Sequence, residues 1–508
     1  MKKGYIYTLF VALLTLFSSC DDFLDETPSK TSAISPSSLE EYEAILDNYT
    51  QFYKEGIYPA IFGTDDFGLI TDLHDNGGLY NTYHAIYGTW NNELGPDAGN
   101  SGWSGEWRKI FMANMVLAEI EDVDATDEEK ANIIAECHFI RAYSYFVLAN
   151  TFCLPYTEAN KQELGLPIKQ TTSFDESIKR ASLEETYELI ESDLTKALEI
   201  TREFGEVNDL KQSWRANTAA VNGFAARYYL SLNDYGTAQA FAQMSLDEYD
   251  FLRNYNTDMR YSDITYNVTI FDPDPTQVEI LYPYTRELQS VHEDRLEFGE
   301  LYYYRMMYNG NWAYWPSPEL LDLYDQTNDL RYKYHVVEDY SYDRGAKDPP
   351  YSYPGYIFFF RSDLPSGPSV SEMLLIKAEC QIRQGAWAEG IETANILRAA
   401  RMDAMADASE INLSATSQGE ALTLLLEERR REMPFVHRWY DIRRYNNNED
   451  TSDDVIVSRT FYPYNANVIL GDESPVTITL DINSRKYAFP IPNSEILISE
   501  GALEQNQY

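Results

Sequence analysis

The chain has 508 residues, with 82 Asp and Glu against 40 Lys and Arg, and a formal net charge of −42. So acidic a chain repels nucleic-acid backbones and anionic lipid headgroups, which attract clustered Lys or Arg, and leaves neutral ligands, cations and basic proteins as partners. A hydrophobic content of 44 % supports a real core, and 41 Tyr with 8 Trp give an aromatic surplus that serves packing and stacking alike.

Residues 1–19, MKKGYIYTLFVALLTLFSS, open with Lys2 and Lys3 and continue in an apolar run from Ile6 to Phe17. The run is shorter than the roughly 20 residues that a bilayer span needs, so it predicts a signal peptide. Cys20 stands at the expected cleavage position and is predicted to take lipid and become the new N-terminus. An ordinary signal peptide with a chance cysteine is the alternative. Acyl chains hold at roughly 0.8 kcal/mol per buried CH₂, so two or more anchor firmly. Loss of Lys2 and Lys3 takes the net charge from −42 to −44. Residues 20–36, polar with Pro28 and Pro36, read as a tether.

Residues 37–508 read as a single domain, with a helical scaffold over about 37–250 and 371–431, loop-rich insertions over about 53–105 and 250–370, and a C-terminal segment 432–508. Ser38–Tyr49 has a helical pattern. Gly105–Asp122 is a strong helix. Thr126 with Glu129, and Ser182 with Glu185, form capping boxes at the heads of two more. Ile133, Cys137, Ile140, Ser144 and Leu148 share one stripe. Residues 215–231 and 235–248 form a further pair. Eight prolines between Pro273 and Pro354 break long helices, leaving short strands such as QVEILYPY around one helix, Ser317–Tyr324. SEMLLIKAECQIRQG and AWAEGIETANILRAARM are paired helices, with Ala378, Gly385 and Ala394 as points of close approach, and a further helix starts at Ala421. The helix pairs resemble tetratricopeptide stacking in general form, though none matches its consensus fully.

Catalytic signatures are missing. GWSGE, Gly102–Glu106, has Glu106 where a nucleophile elbow needs its last Gly, and no strand precedes it. There is no HExxH, P-loop or dinucleotide fingerprint. Of six His, His138 reads as structural, and His74 and His84 share a loop region without a third ligand. DVDATDEE begins like a calcium loop at Asp122 and Asp124 but lacks the turn Gly and the final Glu spacing, so capping explains it better. No cofactor is expected, with Ca²⁺ left open elsewhere. A glycosidase would need two carboxylates about 5–9.5 Å apart, which a sequence cannot position. Cys137, Cys153 and Cys380 are an odd number; on one continuous helix the first two would lie about 24 Å apart, too far to bridge, while a turn near Asn150 would permit a bridge, and buried free thiols are the expectation.

Two aromatic clusters remain. One contains Tyr80, Tyr83, Tyr87, Trp90 and Trp103; the other runs from Tyr302 through Tyr314 and Trp315. Asn, Asp and Gly lie between the rings. Sugar rings have apolar C–H faces and polar rims, so a flat aromatic stacks on one while amides bond its hydroxyls. Packing of loops on helices is the alternative for any one ring. Trp90, Trp312 and Trp315 are the preferred stackers, with Tyr83, Trp103 and Tyr314 beside them and Asn91, Asp97 and Asn311 as polar partners.

Several segments together resemble the SusD-like (RagB/SusD) outer-membrane lipoproteins of Bacteroidetes. CDDFLDETP resembles that family's mature start, EMLLIKAECQIRQG with ANILRAARM its paired helices, and YAFPIPNSEI its C-terminal segment. EERRREMPFVHRWYDIRRY resembles its Glu-Arg helix and Arg-Trp-x-Asp-x-Arg-Arg motif, here Arg438, Trp439, Asp441, Arg443 and Arg444. The resemblance implies a mainly α fold, a tetratricopeptide-like scaffold with a loop-rich portion carrying short strands. It also implies noncatalytic glycan binding at the cell surface, a lipid anchor in the outer membrane, and delivery to a SusC-like TonB-dependent transporter. Arg438, Asp441, Arg443 and Arg444 are expected to make structural ion pairs and caps that lock the C-terminal segment to the helices. The rival expectation is a surface adhesion or assembly scaffold that binds other proteins.

Overall fold

A computed structural model describes residues 36–56, 58–91, 102–271, 274–288, 292–308, 310–343, 351–359, 363–465 and 468–508. Cys20, the signal peptide and Asp97 lie outside the described residues. The scaffold consists of α1 (Leu39–Asp47), α2 (Trp103–Glu119), α3 (Asp127–Phe152), α4 (Leu183–Ala197), α5 (Thr218–Ser231), α6 (Tyr235–Glu248), α7 (Val370–Arg383), α8 (Trp387–Arg401), α9 (Gln418–Glu432) and α10 (Arg438–Tyr445). Ser38, Thr126 and Ser182 each close a capping box at the head of α1, α3 and α4, satisfying end N–H groups that otherwise lack partners. Acids fill the first turn of α3, where the helix dipole favours them.

α3 is the central element. From Ala135 to Phe152 every residue is buried, because α2 packs on one side and α4 on another. α5 pairs with α6, α6 with α7, and α7 with α8, while α9 lies across both α7 and α8. Gly390 makes the α7–α8 approach: a Cβ there would fall 2.5 Å from Ile382 Cγ1 and 2.7 Å from the Ala378 carbonyl. Gly385, expected at this contact, instead makes the turn at φ +93, a backbone region that disfavours L side chains.

The insertions are more ordered than the sequence suggests. Residues 250–370 hold not one helix but five short ones, Tyr255–Asp258, His292–Leu296, Pro318–Leu321, Leu330–His335 and Tyr340–Asp343, and the helix capped by Ser317 stops at Leu321. Tyr266–Phe271 pairs antiparallel with Pro275–Ile280. A small sheet joins the two insertions: Lys54–Glu55 runs parallel to Met306–Met307, which pairs antiparallel with Leu364–Pro365. Val457–Phe461 pairs with Val476–Leu480. The tail returns to α3, where Phe489 N donates to the Thr151 carbonyl (3.0 Å) and Asn506 Nδ2 to the Phe152 carbonyl (2.9 Å). Cys137, Cys153 and Cys380 are buried free thiols.

Candidate functional site

The short helix Thr82–Gly88 begins at Asn81, whose Oδ1 accepts from Tyr83 N at 3.0 Å. His84 turns inward against Phe62 and Phe67, and burial pulls its pKa down to about 3, so the ring is neutral. Its Nδ1 accepts from Asn81 N at 3.0 Å, and its Nε2 lies 3.0 Å from the Asn311 amide, 227 residues away. With Nδ1 accepting, the ring proton sits on Nε2, so the Asn311 amide meets it with its oxygen, the end-for-end alternative of that side chain. The neighbours of these two residues, Tyr83 and Trp312, are 40 % and 39 % exposed. One part-buried contact thus brings the two aromatic clusters together and leaves one ring of each partly in solvent.

Other expected stackers face inward. Trp90 is 0 % exposed, with its indole N–H on the Gly63 carbonyl at 3.0 Å. Trp315 packs edge-on to Tyr340, Trp103 edge-on to Phe152, and the Tyr314 hydroxyl donates to the Met307 carbonyl at 3.2 Å. All four are buried. The expectation of exposure is corrected for each: the ring body finds core contacts, and for Trp90 and Tyr314 a nearby carbonyl satisfies the polar tip. The Asn91 side chain is half-buried and meets the Tyr464 hydroxyl.

C-terminal arginines hold this surface in place. Arg459 donates to the carbonyls of Phe62 (2.6 Å), Gly88 (2.8 Å) and Phe67 (3.0 Å). Burial draws its pKa down to about 10, still protonated at neutral pH. Arg438 Nε and Nη2 grip Asp65 Oδ1 and Oδ2, each at 2.8 Å, and Arg430 Nε meets Asp66 at 2.5 Å. Burial pushes the Asp65 carboxyl up, but Arg438 and Arg430 outweigh it and hold it well below the usual range. Arg429 and Arg444 share Asp441 at 2.8 and 3.0 Å. Arg443 clamps the tail through the Tyr487 carbonyl (2.6 Å) and the Cys153 carbonyl (3.0 Å), and Trp439 Nε1 donates to the Asn150 carbonyl (3.1 Å).

A second surface went unforeseen. Trp103, Trp107, Phe111, Phe174, Ile178 and Ile498 line an apolar groove of about 510 Å³, with Phe174 96 % exposed at its edge. Trp107 Nε1 and Glu176 Oε2 are buried there without a partner among the described residues. A lone Phe in the polar run TTSFDESI was the available signal. Among the described residues, no group of three or more His, Cys, Asp or Glu converges as a metal-holding set, and no helix is long and apolar enough to cross a membrane. His138 bonds Asp193 at 2.7 Å beside Arg141, a structural role.

A stacked-helix scaffold that presents aromatic loops defines a binding protein. Two family profiles match, one described as starch-binding and associating with the outer membrane over residues 22–230, the other as the SusD family over residues 370–508. The chain belongs to the SusD family and is a noncatalytic binding protein. It is 23 % identical to SusD-like protein P38 of Formosa agariphila over 404 residues, 70 % of this chain and 74 % of the relative. Its fold is similar to that of a putative sugar binding protein from Bacteroides vulgatus, with TM-score 0.61, 19 % identity, and coverage of 93 % of this chain and 99 % of the other. A SusD-like carbohydrate binding protein from the same organism aligns with TM-score 0.59, 16 % identity, and coverage of 92 % and 97 %.

Proposed function

We propose that the protein captures neutral oligosaccharide on the Tyr83–Trp312 face, at the cell surface, and passes it to a partner TonB-dependent outer-membrane transporter while held by lipid on Cys20. The observation that carries the reading is the His84–Asn311 contact, which sets two partly exposed rings beside one another's segments. The family's description as starch-binding and outer-membrane-associated supports the ligand class and location, as do the sugar- and carbohydrate-binding descriptions of two structural relatives. The net charge of −42 disfavours uronic or sulfated ligands. The apolar groove supports a protein partner, because exposed aromatic and aliphatic patches on an otherwise charged surface mark such contacts.

Calorimetric titration of the mature chain with maltoheptaose, cellohexaose and an oligouronate, with Ca²⁺ present and then chelated, tests this. A neutral sugar binds, the oligouronate does not, and Trp312→Ala or Tyr83→Ala each weakens binding about tenfold, the loss of one stacking contact. A drop on chelation assigns Ca²⁺ a part; an unchanged affinity removes it. Silence from a folded protein across the panel would favour the assembly-scaffold alternative.

A further inference from the structure

The scaffold has a second concave surface where its turns gather. The chain after α3, the α5–α6 turn, the end of α7, the start of α9 and the residues after α10 line an open cleft of about 1020 Å³. Neither Tyr83 nor Trp312 lines it. Tyr156 lies flat on Tyr187, with ring centroids 4.1 Å apart and planes at 9°, so one face is packed and the other borders the cleft. Asn233 makes the α5–α6 turn at φ 61, a left-handed conformation that asparagine tolerates. Its Oδ1 accepts from the Tyr235 hydroxyl at 3.2 Å, and its Nδ2 has no acceptor among the described residues. Asn447 donates through Nδ2 to the Arg443 carbonyl at 2.7 Å and keeps its Oδ1 uncommitted.

A recess of about 20 Å³ shares Tyr156, Ser231, Asn233 and Asn447 with the cleft. Tyr440 and Arg443, only 8 % and 3 % exposed, line it, and Tyr440 Oη and Arg443 Nε have no hydrogen-bond partner among the described residues. Buried polar atoms are normally paired, and a space of this size admits one hydroxyl-sized group. Cations beside the cleft are already matched, Arg383 by Glu379 (2.8 Å) and Asp453 (2.5 Å) and Arg444 by Glu379 (2.5 Å). Glu158, Glu449 and Asp450 stand among its lining residues and repel anions.

We propose that this cleft is a second binding site for neutral carbohydrate: a sugar ring stacks on Tyr156, Asn233 and Asn447 meet its hydroxyls, and one hydroxyl reaches the recess beside Tyr440 and Arg443. It rests on the carbohydrate reading above but on none of the residues used there.

Hydroxyl-radical footprinting of the mature chain with maltoheptaose, cellohexaose and mannohexaose reads Tyr156, Tyr83 and Trp312 separately. Protection at Tyr156 that persists in Trp312→Ala is the expected result. Affinity in that background is read by calorimetric titration. Asn233→Gly, which suits the same backbone angle, loses about tenfold, the loss of one hydrogen bond. Protection at Trp312 without Tyr156 overturns this site and leaves the first reading standing. Protection at Tyr156 alone upholds this site and overturns the first. No protection at any of the three overturns both.

Discussion

Glu379 in α7 offers the sharpest test of how the family motif works. It is 0 % exposed and accepts from Arg444 Nη1 (2.5 Å), Arg444 Nη2 (2.7 Å) and Arg383 Nε (2.8 Å). Burial pushes its carboxyl up, yet Arg444 and Arg383 win and hold it well below the usual range. Glu379→Gln would put an amide N–H₂ toward guanidinium donors and leave two cations to share Asp441 and Asp453. Removing one partner from a buried pair costs about 3–5 kcal/mol, since the other charge stays buried. Unfolding entropy of about 2.1 cal/mol/K per residue amounts to ~1 kcal/mol/K for a chain of this size, so Tm falls by about 3–5 °C. Scanning calorimetry reads that shift directly. Glu379→Met combined with Arg444→Met recovers part of the loss, because both charges go together. A single substitution that moves Tm by less than about 1 °C, or a double mutant equal to the sum of the singles, would refute the argument.

Acid titration has a defined sign. Burial lowers His84 and His335 to about 3, so the unfolded chain takes up those protons first and stability, full above about pH 6.5, falls as pH drops toward 3. Glu379, Glu428 and Asp65 are held low by arginines that outweigh burial, and they steepen the loss below about pH 4. Asp66 and Glu300, raised by burial, soften it. Urea midpoints measured downward from pH 8 will therefore decline, and a midpoint that rises below pH 6 contradicts the assignment. Trp90→Ala empties a fully buried site and costs about 3–5 kcal/mol, whereas Trp312→Ala, at a ring 39 % exposed, costs less and weakens sugar binding; equal destabilisation by both would count against the exposure difference. Gly390→Ala overpacks the α7–α8 contact and costs about 1–3 kcal/mol. Gly105→Ala in α2, where a Cβ meets nothing within 4 Å, stabilises by about 0.5–1 kcal/mol, and denaturant titration separates the two signs.

The scaffold was legible because its signals are local. Thr126 with Glu129 and Ser182 with Glu185 cap helices where their spacing places them. α9 starts three residues before the expected Ala421, because Ser417 accepts from Glu420 N. α10 was invisible as a helix: all eight residues are buried, so RWYDIRRY shows no polar face, and its charges are met by Asp65 and Glu379, far away in the chain. The proposed binding face was half legible. Aromatic-rich loops look alike whether their rings point in or out, and for Trp90 the deciding partner is a carbonyl 27 residues back. Tyr83 and Trp312 are brought near one another by a pair 227 residues apart, a distance that no spacing rule reaches.

The clamps beneath the Tyr83–Trp312 face set the order in which the molecule becomes competent. Arg438 meets Asp65 across 373 residues, and Arg459 meets Gly88 across 371. Such closures are entropically late, after the local helix pairs have formed. A chain that ended at residue 432 would retain α1 to α9 and Arg430, which holds the Asp65 carbonyl at 2.9 Å, but would lose Arg438 and Arg459, so its loops would lose most of their platform. On the proposed reading, ligand capture is reserved for finished molecules, because the parts that hold the two rings still arrive last.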